Sequence, residues 1–464
     1  MGTVTRLNQI AFSVVDVKRT DEWFRAAFGL LPAGGTRSFR GPLASHVQGL
    51  PKAASTCWWL VGRDDYVQLE LFQFESPMAR LLPADYRPCD TGYSRVGLWV
   101  QDFDATLARL EALDSSPLTE PLGERGRRRA CVRSPDGVFI EVMEEDLLAG
   151  HTRTVRPDCP VAPRYVTVSV PDLEKSRQFF MGALRLKPSS VVLHGPEHEA
   201  LWNLAGARSR SIVLDAGDVL VELVQYLDPV GKPWPSGYRV SDQGLLNIAF
   251  GYRRMRDLLA DYRRTRDVGA RPNGMPLHFL NWGVVYVNDV QGFSVELLSV
   301  RPRWDGAMGF LHRPIERRPP PDSQAVERTV RINASMDQVW SVLSDHRGMP
   351  RWFPLDTVTL ERQGQPSPNG VGAERVMRGP RTNMREQVVG WDAPRSLRYR
   401  LLEGAPITCH QGKVDVRPVP GGSEVTWKIR YRPKIPGSGS IVRRAVEKLL
   451  DEVLPRLKSV VERG

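Results

Sequence analysis

The chain repeats itself, and an internal repeat limits the possible folds more firmly than any local propensity. Residues 7–32 (LNQIAFSVVDVKRTDEWFRAAFGLLP) are answered 156 positions later by residues 164–188 (RYVTVSVPDLEKSRQFFMGALRLKP), so Asp16 falls on Asp172, Phe24 on Phe180 and Ala27 on Ala183. Further on, Glu70-Leu71-Phe72-Gln73-Phe74 is matched by Glu222-Leu223-Val224-Gln225-Tyr226. Each copy holds two smaller units of one pattern. A short apolar strand turns through an acidic residue into an amphipathic helix, and strands carrying a glutamate close the unit. The openings are residues 8–14, 94–100, 164–170 and 246–252; the closing glutamates are Glu70, Glu141, Glu222 and Glu296. From opening strand to closing glutamate the units run 61, 46, 57 and 49 residues. That alternation of long and short makes two pairs, first with second and third with fourth.

The last third changes grammar. Residues 303–324 are rich in proline and arginine, end in Pro319-Pro320-Pro321 and read as a semi-rigid spacer. Residues 325–464 then give a strand, a helix start at Ser335, a ladder of alternating strands and a long final helix. Pro455 should kink that helix without ending it. Strand parity puts Val425, Trp427, Ile429 and Tyr431 on one face, His410 with Val414 and Val416, and Leu397 with Tyr399 and Leu401.

A length of 464 residues suggests about three domains. No apolar run approaches the roughly 20 residues that cross a bilayer, and the first residues lack a cleavable leader pattern, so the expected location is the cytoplasm. Five scattered cysteines without a C-x-x-C argue against a disulfide scaffold or zinc knuckle and fit a reducing compartment. A net charge of +11 raises the question of nucleic acid, yet the only dense basic cluster, Arg125 to Arg129, reads as a solvated hairpin tip. No nucleotide, flavin or nucleophile-elbow motif occurs. The expected partner is a hydrophobic or aromatic small molecule, with no nucleic acid and no membrane.

The paired βαβββ units resemble the vicinal oxygen chelate (glyoxalase and bleomycin-resistance-like) superfamily over residues 5–300. The last third, with N-A-S-M-D-Q-V-W-x-V-L-S-D from Asn333 and Trp352 downstream, resembles the START-like polyketide cyclase superfamily. The implied fold class is α+β: vicinal oxygen chelate domains at 1–150 and 160–302, the 303–324 linker, and a helix-grip domain at 325–464 whose long helix covers an apolar cavity. In the first resemblance, metal ligands come from opening and closing strands. The positions that match are Gln9, Glu70, Arg95 and Glu141 in the first pair, and Tyr165, Glu222, Asn247 and Glu296 in the second. None of the opening positions is histidine. Arginine has no lone pair to give and would repel a divalent ion, so no cofactor is expected; a metal, if bound, would sit on Gln9, Glu70 and Glu141. Arg95, with Glu70 and Glu141, reads either as a catalytic cation clamping an anionic oxygen or as an internal salt bridge filling a vacant hole. Tyr165, Glu222, Asn247 and Glu296 are candidate substrate contacts, with Tyr165 alternatively a packed core residue. His194 and His198 are four apart, but Pro196 between them makes them loop residues. In the last domain His410 reads as a general acid or base, or as a histidine satisfied by backbone. Trp352, Tyr399 and Trp427 suit a flat aromatic ligand. These readings lead to an enzyme that cyclises, isomerises or rearranges a polyketide-like or aromatic molecule by acid–base chemistry. The alternatives are a carrier or resistance protein that sequesters such a molecule, and a metal-dependent dioxygenase or lyase.

Overall fold

The computed structural model describes residues 6–64, 66–150, 154–380 and 382–464. It divides after Arg318 into two compact units. No helix among the described residues is long and apolar enough to cross a membrane.

The N-terminal unit realises the four sequence units. The first comprises β1 (Arg6–Ser13), α1 (Val17–Phe28), β2 (Leu31–Arg40), α2 (Pro42–Gln48), β3 (Ala54–Val61) and β4 (Gln68–Ser76). The second has β5 (Gly92–Val100), α3 (Phe103–Ala112), β6 (Arg129–Arg133) and β7 (Phe139–Met143). The third has β8 (Val161–Ser169), α4 (Leu173–Arg177), β9 (Lys187–Pro188), β10 (Arg208–Asp215) and β11 (Leu220–Asp228). The fourth has β12 (Gly244–Tyr252), α5 (Met255–Asp267), β13 (Arg271–Pro272), β14 (Leu277–His278), β15 (Trp282–Asn288) and β16 (Ser294–Val300). The acidic turn residues are N-caps: Asp16, Asp102 and Asp172 each accept from backbone N–H groups of the helix they start. The fourth unit departs from the pattern, since Arg254 stands at the N-cap of α5 and its side chain bonds Asp257 instead of capping the backbone.

The pairing of units differs from the sequential one. β1 pairs antiparallel with β12, and β5 with β8. The first unit is therefore joined to the fourth, and the second to the third. The chain builds half of one sheet, crosses to build all of another, and returns to complete the first. Only Leu245↔Tyr93 links β12 to β5. The two crossings, residues 77–91 and 229–243, lie side by side. Arg80 Nε donates to Asp242 at 3.1 Å, the Leu82 N–H to Gln243 at 2.9 Å, and the Lys232 N–H to Asp90 at 2.8 Å. Alternating long and short units fit either pairing, because each sheet still contains one of each. Length alone therefore could not choose.

The expected spacer is largely strapped to this unit. Gln68 Nε2 donates to the Met308 carbonyl at 2.9 Å, Phe310 stacks on Tyr66 with ring centres 4.7 Å apart, and the Arg313 N–H donates to Pro32 at 2.9 Å.

The C-terminal unit is a seven-stranded antiparallel sheet in the order β17-β23-β22-β21-β20-β19-β18. Its strands are β17 (Gln324–Ile332), β18 (Thr357–Arg362), β19 (Glu374–Gly379), β20 (Thr382–Asp392), β21 (Ser396–Glu403), β22 (Ile407–Val419) and β23 (Gly422–Pro433). α6 (Met336–Leu343) opens with a reciprocal cap between Ser335 and Gln338. α7 (Gly439–Arg463) runs on through Pro455 and buries Leu450, Val453, Leu454, Leu457 and Val461. Its first half, from Ile441 to Leu449, covers a cavity.

Candidate functional sites

Strand register builds two equivalent constellations in the N-terminal unit. Residues opposite one another across a ladder emerge on the same face of a sheet. Across β1 and β12, Gln9 faces Ala249 and Ala11 faces Asn247; Glu70 on β4 lies beside Ala11, and Glu296 on β16 beside Ala249. Gln9, Glu70, Asn247 and Glu296 thus share one face over two alanines. Across β5 and β8, Gly97 faces Tyr165 and Arg95 faces Thr167; Glu141 on β7 lies beside Gly97, and Glu222 on β11 beside Thr167. Arg95, Glu141, Tyr165 and Glu222 form the second set. The eight positions singled out in the sequence do meet four by four. However, Gln9 and Glu70 meet Asn247 and Glu296 rather than Arg95 and Glu141, because the sheets join units first to fourth and second to third.

The second set is closed by its own cations. His194 bridges the two carboxylates, with Nδ1 2.8 Å from Glu222 and Nε2 3.0 Å from Glu141. Arg95 donates to Glu222 at 3.1 Å and to Tyr226 at 2.9 Å, and its guanidinium stacks 4.0 Å over Trp202. Arg129 donates to Glu141 at 3.0 Å, Tyr165 to Glu141 at 2.5 Å, and Thr167 to Glu222 at 2.6 Å. Glu199 accepts from Tyr226 at 2.9 Å and Trp202 at 2.7 Å. Three carboxylates face three cations, and both oxygens of Glu141 and Glu222 are satisfied. Burial works against the charge of Glu141, yet His194 and Arg129 hold its carboxyl at about 2. Glu222 is likewise held well below the usual range, chiefly by His194 and Arg95. Burial opposes the charge on His194, but Glu222 and Glu141 raise its pKa overall. Arg95 is therefore part of an internal salt-bridge network, paired with Glu222 rather than set beside Glu70. Two expectations change here. His194 does lie in a loop, yet that loop inserts it between the glutamates. Arg129, expected at a solvated hairpin tip, is buried against Glu141, while Arg128 pairs with Asp104 and Glu144.

The first set has no such compensation. Glu70 Oε1 accepts from Trp59 Nε1 at 2.8 Å and Cys57 Sγ at 3.2 Å, but its Oε2 has no partner. Gln9 Oε1 is also buried without a partner, and neither carboxamide atom of Asn247 makes a hydrogen bond of good geometry. Burial pushes the Glu70 carboxyl up to about 7, against the Trp59 and Cys57 bonds. Burial and then the charge of Glu70 push Glu296 up to about 8, against the Tyr286 hydroxyl. Among the described residues, no cation acts on either. Of the cations behind this contrast only Arg95 stands among the eight positions; Arg129 comes from the neighbouring strand β6 and His194 from a loop. Among the described residues, no three His, Cys, Asp or Glu side chains are placed to hold a metal ion. The donors that converge here are two carboxylates and two carboxamides.

The C-terminal unit holds a cavity of about 320 Å³. Its walls are apolar, from Met377, Ile429 and the first half of α7, with a polar cluster of Arg375, Glu386, Tyr399 and His410. Arg375 donates twice to Glu386, at 3.1 and 2.8 Å, and lies 5.1 Å from the Tyr399 ring. Tyr399 accepts from Trp427 Nε1 at 2.8 Å. His410 Nδ1 accepts from the Leu401 N–H at 3.0 Å, and burial with Arg375 nearby lowers its pKa to about 4. Of the expected aromatic contacts, Tyr399 and Trp427 line the cavity. Trp352 packs behind, its ring 6.1 Å from that of Trp427. Arg375 and Glu386 lay on alternating strands without a distinguishing motif, and sequence reading did not single them out.

Comparison with known proteins agrees with this division. Residues 8–132 match the glyoxalase/bleomycin resistance protein/dioxygenase superfamily, and residues 323–462 match polyketide cyclase/dehydrase and lipid transport. No curated protein matches the sequence. Among solved structures, glyoxalase I from Zea mays is 18% identical with a TM-score of 0.43, covering 64% of this chain and 92% of that one. A START superfamily protein from Mycobacterium smegmatis is 17% identical with a TM-score of 0.28, covering 30% of this chain and 97% of that one. A Thermobifida fusca protein solved by NMR is 26% identical with a TM-score of 0.27, covering 30% and 93%. One polypeptide thus carries a match to the glyoxalase/bleomycin resistance protein/dioxygenase superfamily at residues 8–132 and a match to polyketide cyclase/dehydrase and lipid transport at residues 323–462.

Proposed function

We propose that the chain is an enzyme that moves a proton on a bulky, oxygen-bearing, largely apolar molecule, so as to isomerise, cyclise or rearrange it. The observation that supports this most is the buried Glu70–Glu296 pair, which has no compensating cation among the described residues. Two carboxyls raised to about 7 and about 8 exchange a proton close to neutral pH, where a general acid or base works best. Trp59 and Cys57 hold Oε1 of Glu70 and leave Oε2 free to take a proton from a carbon acid. Glu296, the more strongly raised, returns a proton to the far end of the resulting enolate. Gln9 and Asn247 offer carboxamides that orient the substrate oxygen.

The fold family implies a divalent metal, and the first constellation fits one. Its formal charge of −2 and the unpartnered oxygens of Gln9, Glu70 and Asn247 match a hard cation's needs. With it bound, Gln9, Glu70, Asn247 and Glu296 would be its ligands in place of the proton that the two carboxyls exchange without it, and it would supply polarisation of a carbonyl oxygen. The objection raised by Arg95 applies to the Glu141–Glu222 set instead. The cavity of the C-terminal unit supports the reading that this domain binds the apolar substrate class, and by itself would suit a carrier.

Exchange of methyl protons of aryl ketones such as 2-acetylnaphthalene in D₂O, followed by NMR, tests the reading. The full chain should accelerate exchange, and Glu70→Gln should lose about 10²-fold or more of that rate. Exchange no faster than that given by residues 319–464 alone would leave the carrier reading in its place.

A further inference from the structure

The polar cluster of the C-terminal cavity offers donors and almost no net charge. Tyr399 spends its oxygen lone pair on Trp427 Nε1, so its own O–H points elsewhere, and the phenol stays protonated because burial raises its pKa. His410 accepts at Nδ1 from Leu401 and is neutral at pH 7, which places its one proton on Nε2. Among the described residues, neither the Tyr399 proton nor His410 Nε2 meets an acceptor. The two rings are neighbours, with centres 5.5 Å apart. Arg375, the only cation among the described residues that line the cavity, is already matched by Glu386. An anion buried here would find no spare positive charge and would pay for its desolvation uncompensated. A neutral acceptor would meet two pre-oriented donors in an apolar chamber.

We propose that this cavity selects an apolar, ring-bearing molecule with a neutral carbonyl oxygen, which accepts hydrogen bonds from Tyr399 O–H and His410 Nε2–H. A ketone, quinone or ester satisfies this chemistry, and a free carboxylate does not. The inference rests on the reading of the cavity as a small-molecule site and adds the group that is recognised there.

Three probes of one shape decide it, titrated into the full chain and followed by tryptophan fluorescence. They are 2-acetylnaphthalene, 2-ethylnaphthalene and 2-naphthoate. The ketone should bind about 10-fold more tightly than the hydrocarbon, because an unmet buried donor is costly, and 2-naphthoate should bind more weakly than the ketone. Tyr399→Phe should remove most of the preference for the ketone while leaving 2-ethylnaphthalene affinity unchanged. His410→Asn, which can still accept from Leu401, should do the same. Equal affinity for ketone and hydrocarbon, or tighter binding of 2-naphthoate, overturns the inference and leaves the cavity reading intact. No binding by any probe overturns both. The comparison on the unaltered chain stands even where a variant fails to fold.

Discussion

Two glutamates at equivalent places in a repeat, Glu70 and Glu222, have carboxyls shifted in opposite directions because of what surrounds them. Glu222 receives His194, Arg95 and Thr167; Glu70 receives an indole N–H and a thiol. The consequence for stability can be signed. Glu70 and Glu296 have folded pKa values above those of the unfolded chain, so the native state binds more protons between about pH 4.5 and 8. Their contribution is fully present below that window and is lost as pH rises through it, by up to about 1.4 kcal/mol per pH unit for each group. Melting of residues 1–318 without divalent ions should therefore shift downward from pH 5 to pH 8, and Glu296→Gln should flatten that slope. A wild-type slope no steeper than that of the variant would contradict the uncompensated pair.

At the scale of elements, two glycines let aromatic side chains cross a neighbouring strand. A Cβ on Gly97 would lie 1.8 Å from the Tyr165 ring, and one on Gly412 would lie 2.2 Å from the Tyr399 ring. Both pairs sit opposite each other in a ladder, Gly97↔Tyr165 and Tyr399↔Gly412. Gly97→Ala should cost the N-terminal unit about 1–3 kcal/mol, read as a lower midpoint in urea. Gly412→Ala should cost the C-terminal unit a similar amount and weaken ketone binding in the cavity, leaving the N-terminal midpoint in place. Strand parity had already grouped Tyr399 with Leu397 and Leu401, and Trp427 with Val425 and Ile429. The bulged start of β22, with Cys409 at φ 52°, still leaves His410 on the cavity side.

For the whole molecule, the crossed pairing makes a prediction that sequential pairing reverses. A fragment of residues 1–150 contains the first unit without the β12 partner of β1, so it exposes an unpaired apolar edge and should aggregate. Residues 1–318 should be folded, with cooperative melting. A soluble, cooperatively folded 1–150 fragment would restore first-with-second pairing. The two crossing segments are themselves copies of one another. Pro77, Tyr86, Arg87, Asp90 and Gly92 recur as Pro229, Tyr238, Arg239, Asp242 and Gly244, and Arg87–Asp90 and Arg239–Asp242 form the same ion pair in each. Equivalent loops between first and second and between third and fourth units follow from the duplication and fit either pairing.

The sequence by itself determined the repeating unit, the change of fold in the last third and the eight strand positions that face the two constellations. The first two follow from local periodicity and repetition; the eight positions were picked out by the resemblance to the vicinal oxygen chelate superfamily, and the repeat makes them equivalent. Only the tertiary structure decided which four positions meet, since strand partners are chosen by packing across hundreds of residues. It also decided which constellation is filled. His194 and Arg129 reach Glu141 from a loop and a neighbouring strand, and whether a buried carboxylate is neutralised depends on distances of about 3 Å that residue order does not encode.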